Sequence, residues 1–250
     1  AFREFVGLLP ADGVIIANAD DPNVLEVVKD FSNKVVFFSR YNRSRQIFLE
    51  KNRVYKDGKL VSELFLKLFG DHNYTNALAA LALADSFDLD LVKVCQSLAS
   101  FQGSWRRFEL VGIKDGVDFY NDYAHHPTEI LATLAAARQK YGSGRRIVAC
   151  FQPHQFNRTK HFLMEFAAAF GDADAVIISN IYQVRDVESD LHTVSAALLV
   201  SEIRNHGKEV YDGQGIVGAV NFLEKYLVPG DVCVVMGAGD VWKVTEALLE

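Results

Sequence analysis

Val117-Asp118-Phe119-Tyr120-Asn121-Asp122-Tyr123-Ala124-His125-His126-Pro127-Thr128-Glu129 passes from a largely apolar run, through a polar turn, into a proline-led stretch with helical spacing. The opening predicts a strand over 117–122. Pro127 sits where a helix best tolerates a missing N–H, in its first turn, and predicts a helix over 127–141. The same strand, loop and helix unit recurs downstream. Strands are predicted near 146–151, 175–181, 208–211 and 232–236, and helices near 158–170, 193–206, 214–227 and 240–249. This alternation implies an α/β domain with a largely parallel sheet.

Upstream the pattern is more mixed. Gly13-Val14-Ile15-Ile16-Ala17 and Val35-Val36-Phe37-Phe38 read as buried strands. Between them Asp21 is placed to cap a helix with Pro22 at its first position. Two shorter strands, around Ile47–Tyr55 and Lys59–Leu66, are joined by a turn at Asp57-Gly58. Helices follow from about Asn73 to Phe87 and from about Asp90 to Ser100. The helical pattern stops around Phe101-Gln102-Gly103-Ser104. A boundary is expected there, giving domains 1–103 and 104–250.

The 250 residues hold 26 Lys and Arg against 32 Asp and Glu, a net charge of −6, and half of them are apolar. Such a chain buries a core, and its acidic balance speaks against a dedicated nucleic-acid binder. No apolar run approaches the ~20 residues of a membrane-spanning helix. Cys95, Cys150 and Cys233 form no CxxC or zinc-finger spacing and read as reduced thiols of a cytoplasmic protein, with Cys150 and Cys233 in the core. The N-terminus has no signal-peptide pattern. It opens without methionine inside an amphipathic stretch, so the chain is expected to be cut from a longer one.

Open α/β sheets bind ligands beyond the C-terminal ends of their strands. Three polar loops fall there: Asp122 to His126, Gln152 to Arg158 and Tyr182 to Asp186. In the first, Asp122 can accept from ribose hydroxyls, and His125 and His126 can donate to an anion or adjust the charge of an amine; the plainer alternative makes His126 a helix cap. In the second, His154 and Arg158 are four apart, and an arginine fork suits a carboxylate or phosphate. Ahead of them, Arg107 of Trp105-Arg106-Arg107-Phe108 is expected to reach a cleft between domains, while Arg106 is expected to lie in solvent. Asn73 and Asn76 share a helix face and can read an adenine edge, against the alternative of ordinary capping. Gly237-Ala238-Gly239-Asp240 reads as a tight turn with Asp240 capping the last helix. A zinc site of His72, His125, His126 and His154 has no HxH, HExxH or Cys–His spacing behind it.

Taken together, Gly70 to Ala77, Arg106-Arg107-Phe108, Asp122 to Glu129, Phe151-Gln152-Pro153-His154 with Arg158-Thr159, and Gly237 to Asp240 resemble the Mur ligase family, in family order and across essentially the whole chain. The resemblance implies the later part of a central ATPase α/β domain followed by a Rossmann-like, amino-acid-binding C-terminal domain. It implies ATP-dependent amide formation in peptidoglycan synthesis: L-alanine joins UDP-N-acetylmuramate through an acyl phosphate, with ATP and Mg2+ as cofactors. An alternative within the family attaches a recycled tripeptide to the same sugar, and one outside catalysis is a ligand-binding module on the same fold. By resemblance, Asn73 and Asn76 read adenine, Arg107 reaches the γ-phosphate, and Asp122 lies near the ribose. Tyr123, His125, His154 and Arg158 surround the incoming amino acid, with Arg107, Asp122 and His125 as the catalytic set. Gln155 stands where some relatives have a second arginine, and Tyr182 to Asp186 departs from the family pattern and takes no role. There is no GxxxxGK(S/T) phosphate loop in the chain. The family's metal ligands are expected upstream, so these residues are expected not to catalyse alone.

Overall fold

A computed structural model describes residues 1–191 and 193–250, which divide into two compact units, Ala1–Gln102 and Gly103–Glu250. In the first, α1 (Phe2–Val6), β1 (Val14–Asn18), α2 (Pro22–Val28), β2 (Lys34–Ser39), β3 (Ile47–Glu50), β4 (Arg53–Lys56) and β5 (Lys59–Glu63) precede α3 (Asp71–Ser86) and α4 (Leu91–Ser100). The sheet runs β1-β2-β3-β4-β5, parallel over the first three strands and antiparallel thereafter. Asp21 caps α2 through the Asn23 amide, with Pro22 leading the helix, as the sequence implied. The single strand expected over Ile47–Tyr55 is instead a hairpin turned at Lys51 in the left-handed region, and Asp57-Gly58 joins β4 to β5. Leu78, Leu81 and Ala82 of α3 and Cys95 of α4 pack on Val36, Ile47 and Val54 of the sheet.

The second unit begins with the antiparallel pair β6 (Glu109–Lys114) and β7 (Val117–Asp122). Then come α5 (Pro127–Tyr141), β8 (Ile147–Phe151), α6 (Phe156–His161), α7 (Leu163–Ala168), β9 (Ala175–Ile178), α8 (Ala196–Asn205), β10 (Glu209–Asp212), α9 (Gly215–Tyr226), β11 (Val232–Met236) and α10 (Lys243–Leu249). The order is β10-β9-β8-β11-β7-β6, parallel except for β6. Both faces are covered, so β8 and β11 are buried at every position and their apolar runs are continuous. Alternation sorts the side chains. Ile147, Ala149 and Phe151 join the core under α5, α7 and α8, whereas Val148 and Cys150 join that under α9 and α10. Two expectations need correction. The helix expected over 158–170 is two short helices broken at Phe162. The last helix is led by Trp242 with no side-chain cap, and Asp240 turns to Gln152 and Lys243.

The N-terminal end of β7 is fastened by a charged network. Arg145 forks onto both oxygens of Asp118 at 2.9 and 3.0 Å, and the Tyr141 hydroxyl donates to the same carboxylate at 2.6 Å. Burial pushes the Asp118 carboxyl up, but the bonds from Arg145 and Tyr141 outweigh it and hold it below the usual carboxylate range. A carboxyl lowered in the folded state adds stability above its unfolded pKa, and loses it as pH falls through the folded value. Asp118→Asn is expected to lower unfolding stability by about 2 kcal/mol at pH 7, with the gap to wild type closing in acid. Denaturation followed by tryptophan fluorescence checks this for the second unit alone, because both tryptophans, Trp105 and Trp242, lie in it.

Candidate functional site

The parallel ladder continues into the loops beyond the strands' carboxyl ends. Gly237 N–H donates to Asp122 O, Gln152 N–H to Met236 O and Ser179 N–H to Phe151 O, at 3.1, 3.0 and 2.9 Å. The loops after β7, β8, β9 and β11 therefore start in register. This is where β11 enters between β7 and β8, the switch in strand order at which α/β sheets bind ligands.

Asp122 organises the first loop. One oxygen accepts from Phe108 N–H and the other from Ala124 N–H, both at 2.7 Å. Burial pushes its carboxyl up, opposed by these bonds, by Thr133 and by the charge of Arg107. Its side chain is thus committed to the chain's own amides. The His125 ring meets the Tyr123 carbonyl through Nδ1 at 2.9 Å; a carbonyl only accepts, so Nδ1 carries the hydrogen and the neutral ring keeps Nε2 as its acceptor. His126 is the helix cap: its Nδ1 accepts from Thr128 N–H at 3.3 Å, and Glu129 accepts from the His126 amide at 3.1 Å.

The rings form a succession. Tyr123 meets His125 with centroids 5.2 Å apart, His125 meets His154 at 6.0 Å, and His154 stacks on Tyr182 at 5.5 Å. Tyr182 in turn lies over Gly239, where a Cβ would fall 2.6 Å from its ring. The turn after β11 is glycine-rich for this reason of approach: a Cβ on Gly237 would fall 2.9 Å from the Gln152 carbonyl. Asp186 receives Phe156 N–H at 2.9 Å and Val184 N–H at 3.2 Å, which ties the Tyr182 to Asp186 loop to the start of α6.

Arg106 corrects the expectation that it lies in solvent. Arg106 is buried, donating to the Gly237 carbonyl, and Arg107 is the exposed member. Buried polar atoms with no partner among the described residues gather at this end of the unit: Arg106 Nε, Gln152 Oε1, His154 Nδ1 and Arg158 Nη1. Unpaired buried groups are costly, and their collection on adjoining loops fits a ligand that completes them. Sequence reasoning gave roles to His154 and Arg158, placed Gln152, Tyr182 and Asp186 in the polar loops without a role, and left Arg106 in solvent. The glycines at 237 and 239, spaced for close approach, were the available signal for Gln152 and Tyr182.

The first unit carries the other two candidates. Asn73 donates through Nδ2 to the Phe69 carbonyl at 2.7 Å, which leaves its Oδ1 to accept, and Asn76 is exposed one turn along α3. Gly70 is the N-cap, so neither asparagine serves as one. Among the described residues no group of three or more His, Cys, Asp or Glu is arranged to hold a metal ion.

Comparison with known proteins assigns the family. The Mur ligase glutamate ligase domain matches residues 106–239, and the Mur ligase middle domain matches residues 1–84. The chain belongs to the Mur ligase family, whose members are ATP-dependent and use Mg2+. A UDP-N-acetylmuramate–L-alanine ligase of Acetivibrio thermocellus is 39% identical over 260 residues, covering 100% of this chain and 55% of that protein. One from Caldanaerobacter subterraneus is 37% identical, again over 100% and 55%. The chain thus spans about half the length of these relatives. The crystal structure of a Thermotoga maritima UDP-N-acetylmuramate–alanine ligase superposes with a TM-score of 0.70 at 26% identity, over 99% of this chain and 60% of the other.

Burial, then the charges of Arg158 and His125, pull the His154 pKa below the ordinary histidine value, with Asp186 opposing. His154 is expected to titrate below the usual histidine midpoint by NMR, Arg158→Gln to raise that midpoint, and Asp186→Asn to lower it further.

Proposed function

We propose that this chain supplies the adenine-reading and amino-acid-binding parts of a UDP-N-acetylmuramate–L-alanine ligase. Its identity to ligases of that name over its whole length supports the reading. The observation that carries it is the gathering of unpaired donors and acceptors around His125, His154 and Arg158 at the carboxyl ends of β7 and β8. Among these, Arg158 is the cation for the α-carboxylate of a free amino acid.

A carboxylate is a poor electrophile, and the reaction activates the muramate carboxylate as an acyl phosphate at the expense of ATP. What falls to this chain is placement. Asn73 and Asn76 read the adenine edge. Arg107, exposed and held beside the Tyr123 ring, offsets charge on the transferring phosphoryl group. L-Alanine arrives as an ammonium and attacks the acyl phosphate as an amine, forming the C–N bond as the C–O bond breaks and inorganic phosphate departs, so one proton must also leave. His125 Nε2, the acceptor of the neutral ring, takes that proton, and His154, its pKa lowered by burial and by Arg158, stays neutral beside the amine. Asp122 acts through the two loops it pins; a ribose contact would use its remaining lone pairs.

The 250 residues are expected to bind L-alanine weakly, with heat detectable by titration calorimetry at millimolar ligand, and to give no ATP-dependent ligation alone. Arg158→Gln is expected to weaken L-alanine binding about tenfold or more. Equal affinity in wild type and variant, or ligation by the isolated chain, counts against the reading.

A further inference from the structure

Arg106 is the arginine that the sequence left in solvent, and no step above uses it. Its side chain is 4% exposed. It stands at φ 53 and Phe108 at φ 49, so two non-glycine residues adopt the left-handed region on either side of Arg107. Such conformations persist where the surroundings over-determine them. Here Arg106 N–H donates to Glu109 at 2.8 Å, the Arg106 carbonyl accepts from Tyr123 N–H at 2.7 Å, and Phe108 N–H donates to Asp122 at 2.7 Å. The Phe108 ring stacks on Tyr120 with centroids 4.4 Å apart. The Arg106 guanidinium bridges two loops: it donates to the Gly237 carbonyl after β11 and lies 5.1 Å from the centroid of the Tyr123 ring after β7. The Arg107 guanidinium lies 5.4 Å from the same centroid. One ring therefore serves two cations, one buried and tied to the sheet, the other exposed.

We propose that Arg106 is a positioning residue for ligation: it fixes the Tyr123 ring against the turn after β11 and so sets where Arg107 stands. The proposal rests on the reading of Arg107 as the group that offsets phosphoryl charge. The guanidinium suits the task because one flat cation can lie against a ring and still donate at its edge, which a lysine ammonium does less well.

Arg106→Lys and Arg106→Gln test it, both in this chain and in the active ligase that carries it. In the 15N-labelled chain, the ring current of Tyr123 is expected to displace the Arg107 Nε–H resonance. The displacement is expected to vanish in Arg106→Gln and to shrink in Arg106→Lys, with circular dichroism unchanged. In the ligase, Arg106→Gln is expected to lower kcat about tenfold or more while KM for ATP moves less than about threefold, with part of kcat restored in Arg106→Lys. An Arg107 resonance that stays put in both variants overturns the proposal, as does kcat within about twofold of wild type in folded Arg106→Gln. Where Arg106→Gln does not fold, Arg106→Lys decides on the same two readouts. A wild-type ligase that fails to join L-alanine overturns the proposed function instead, and leaves the resonance test of Arg106 standing.

Discussion

Asp122 ends β7 with each carboxylate oxygen taken by an amide of a different segment, Phe108 before β6 and Ala124 before α5. The segment before β6 and the loop after β7 are thereby tied to one residue that is 7% exposed. The arrangement around it depends on this tie. Phe108 keeps its left-handed backbone, Arg106 and Arg107 keep their relation to Tyr123, and the turn to His125 and His126 leaves the strand in a fixed direction. A carboxylate engaged by two amides is a strong local anchor, and burial removes water as a competitor.

The glycine turn after β11 supplies the complementary side. With no side chain at 237 or 239, the backbone comes close enough to Gln152 and Tyr182 for the four loops to meet as one surface. His154 is then held by stacking on Tyr182 while its Nδ1 has no partner among the described residues. Geometry is set by contacts that are complete; in the proposed reading, the atoms that lack a partner are the ones offered to a ligand.

The central parallel strands β8, β9 and β11 were legible because each is buried at every position and reads as an apolar run. Helix α5 was legible because Pro127 marks its start; the His126–Glu129 capping box that completes it is apparent only in the structure. Strand β6 was not read. It is an edge strand with a bulge between Leu110 and Gly112, and a Cβ at Gly112 would fall 2.7 Å from Leu249, so its glycine answers to α10 rather than to strand propensity. The site was half legible. Histidines and arginines near strand ends announce themselves by type. Which member of Arg106-Arg107 is buried depends on two left-handed residues, and no periodicity encodes them. Asp240 missed its cap for a similar reason: a tertiary partner, Gln152, outbid the local helix.

Strand β7 is held at both extremities, by Arg145 and Tyr141 on Asp118 at one and by the amides on Asp122 at the other. Four residues apart, two carboxylates make it a rail with no free end. A ligand at the loop after β7 therefore meets a strand clamped at both ends, so its fit has little displacement of β7 to draw on.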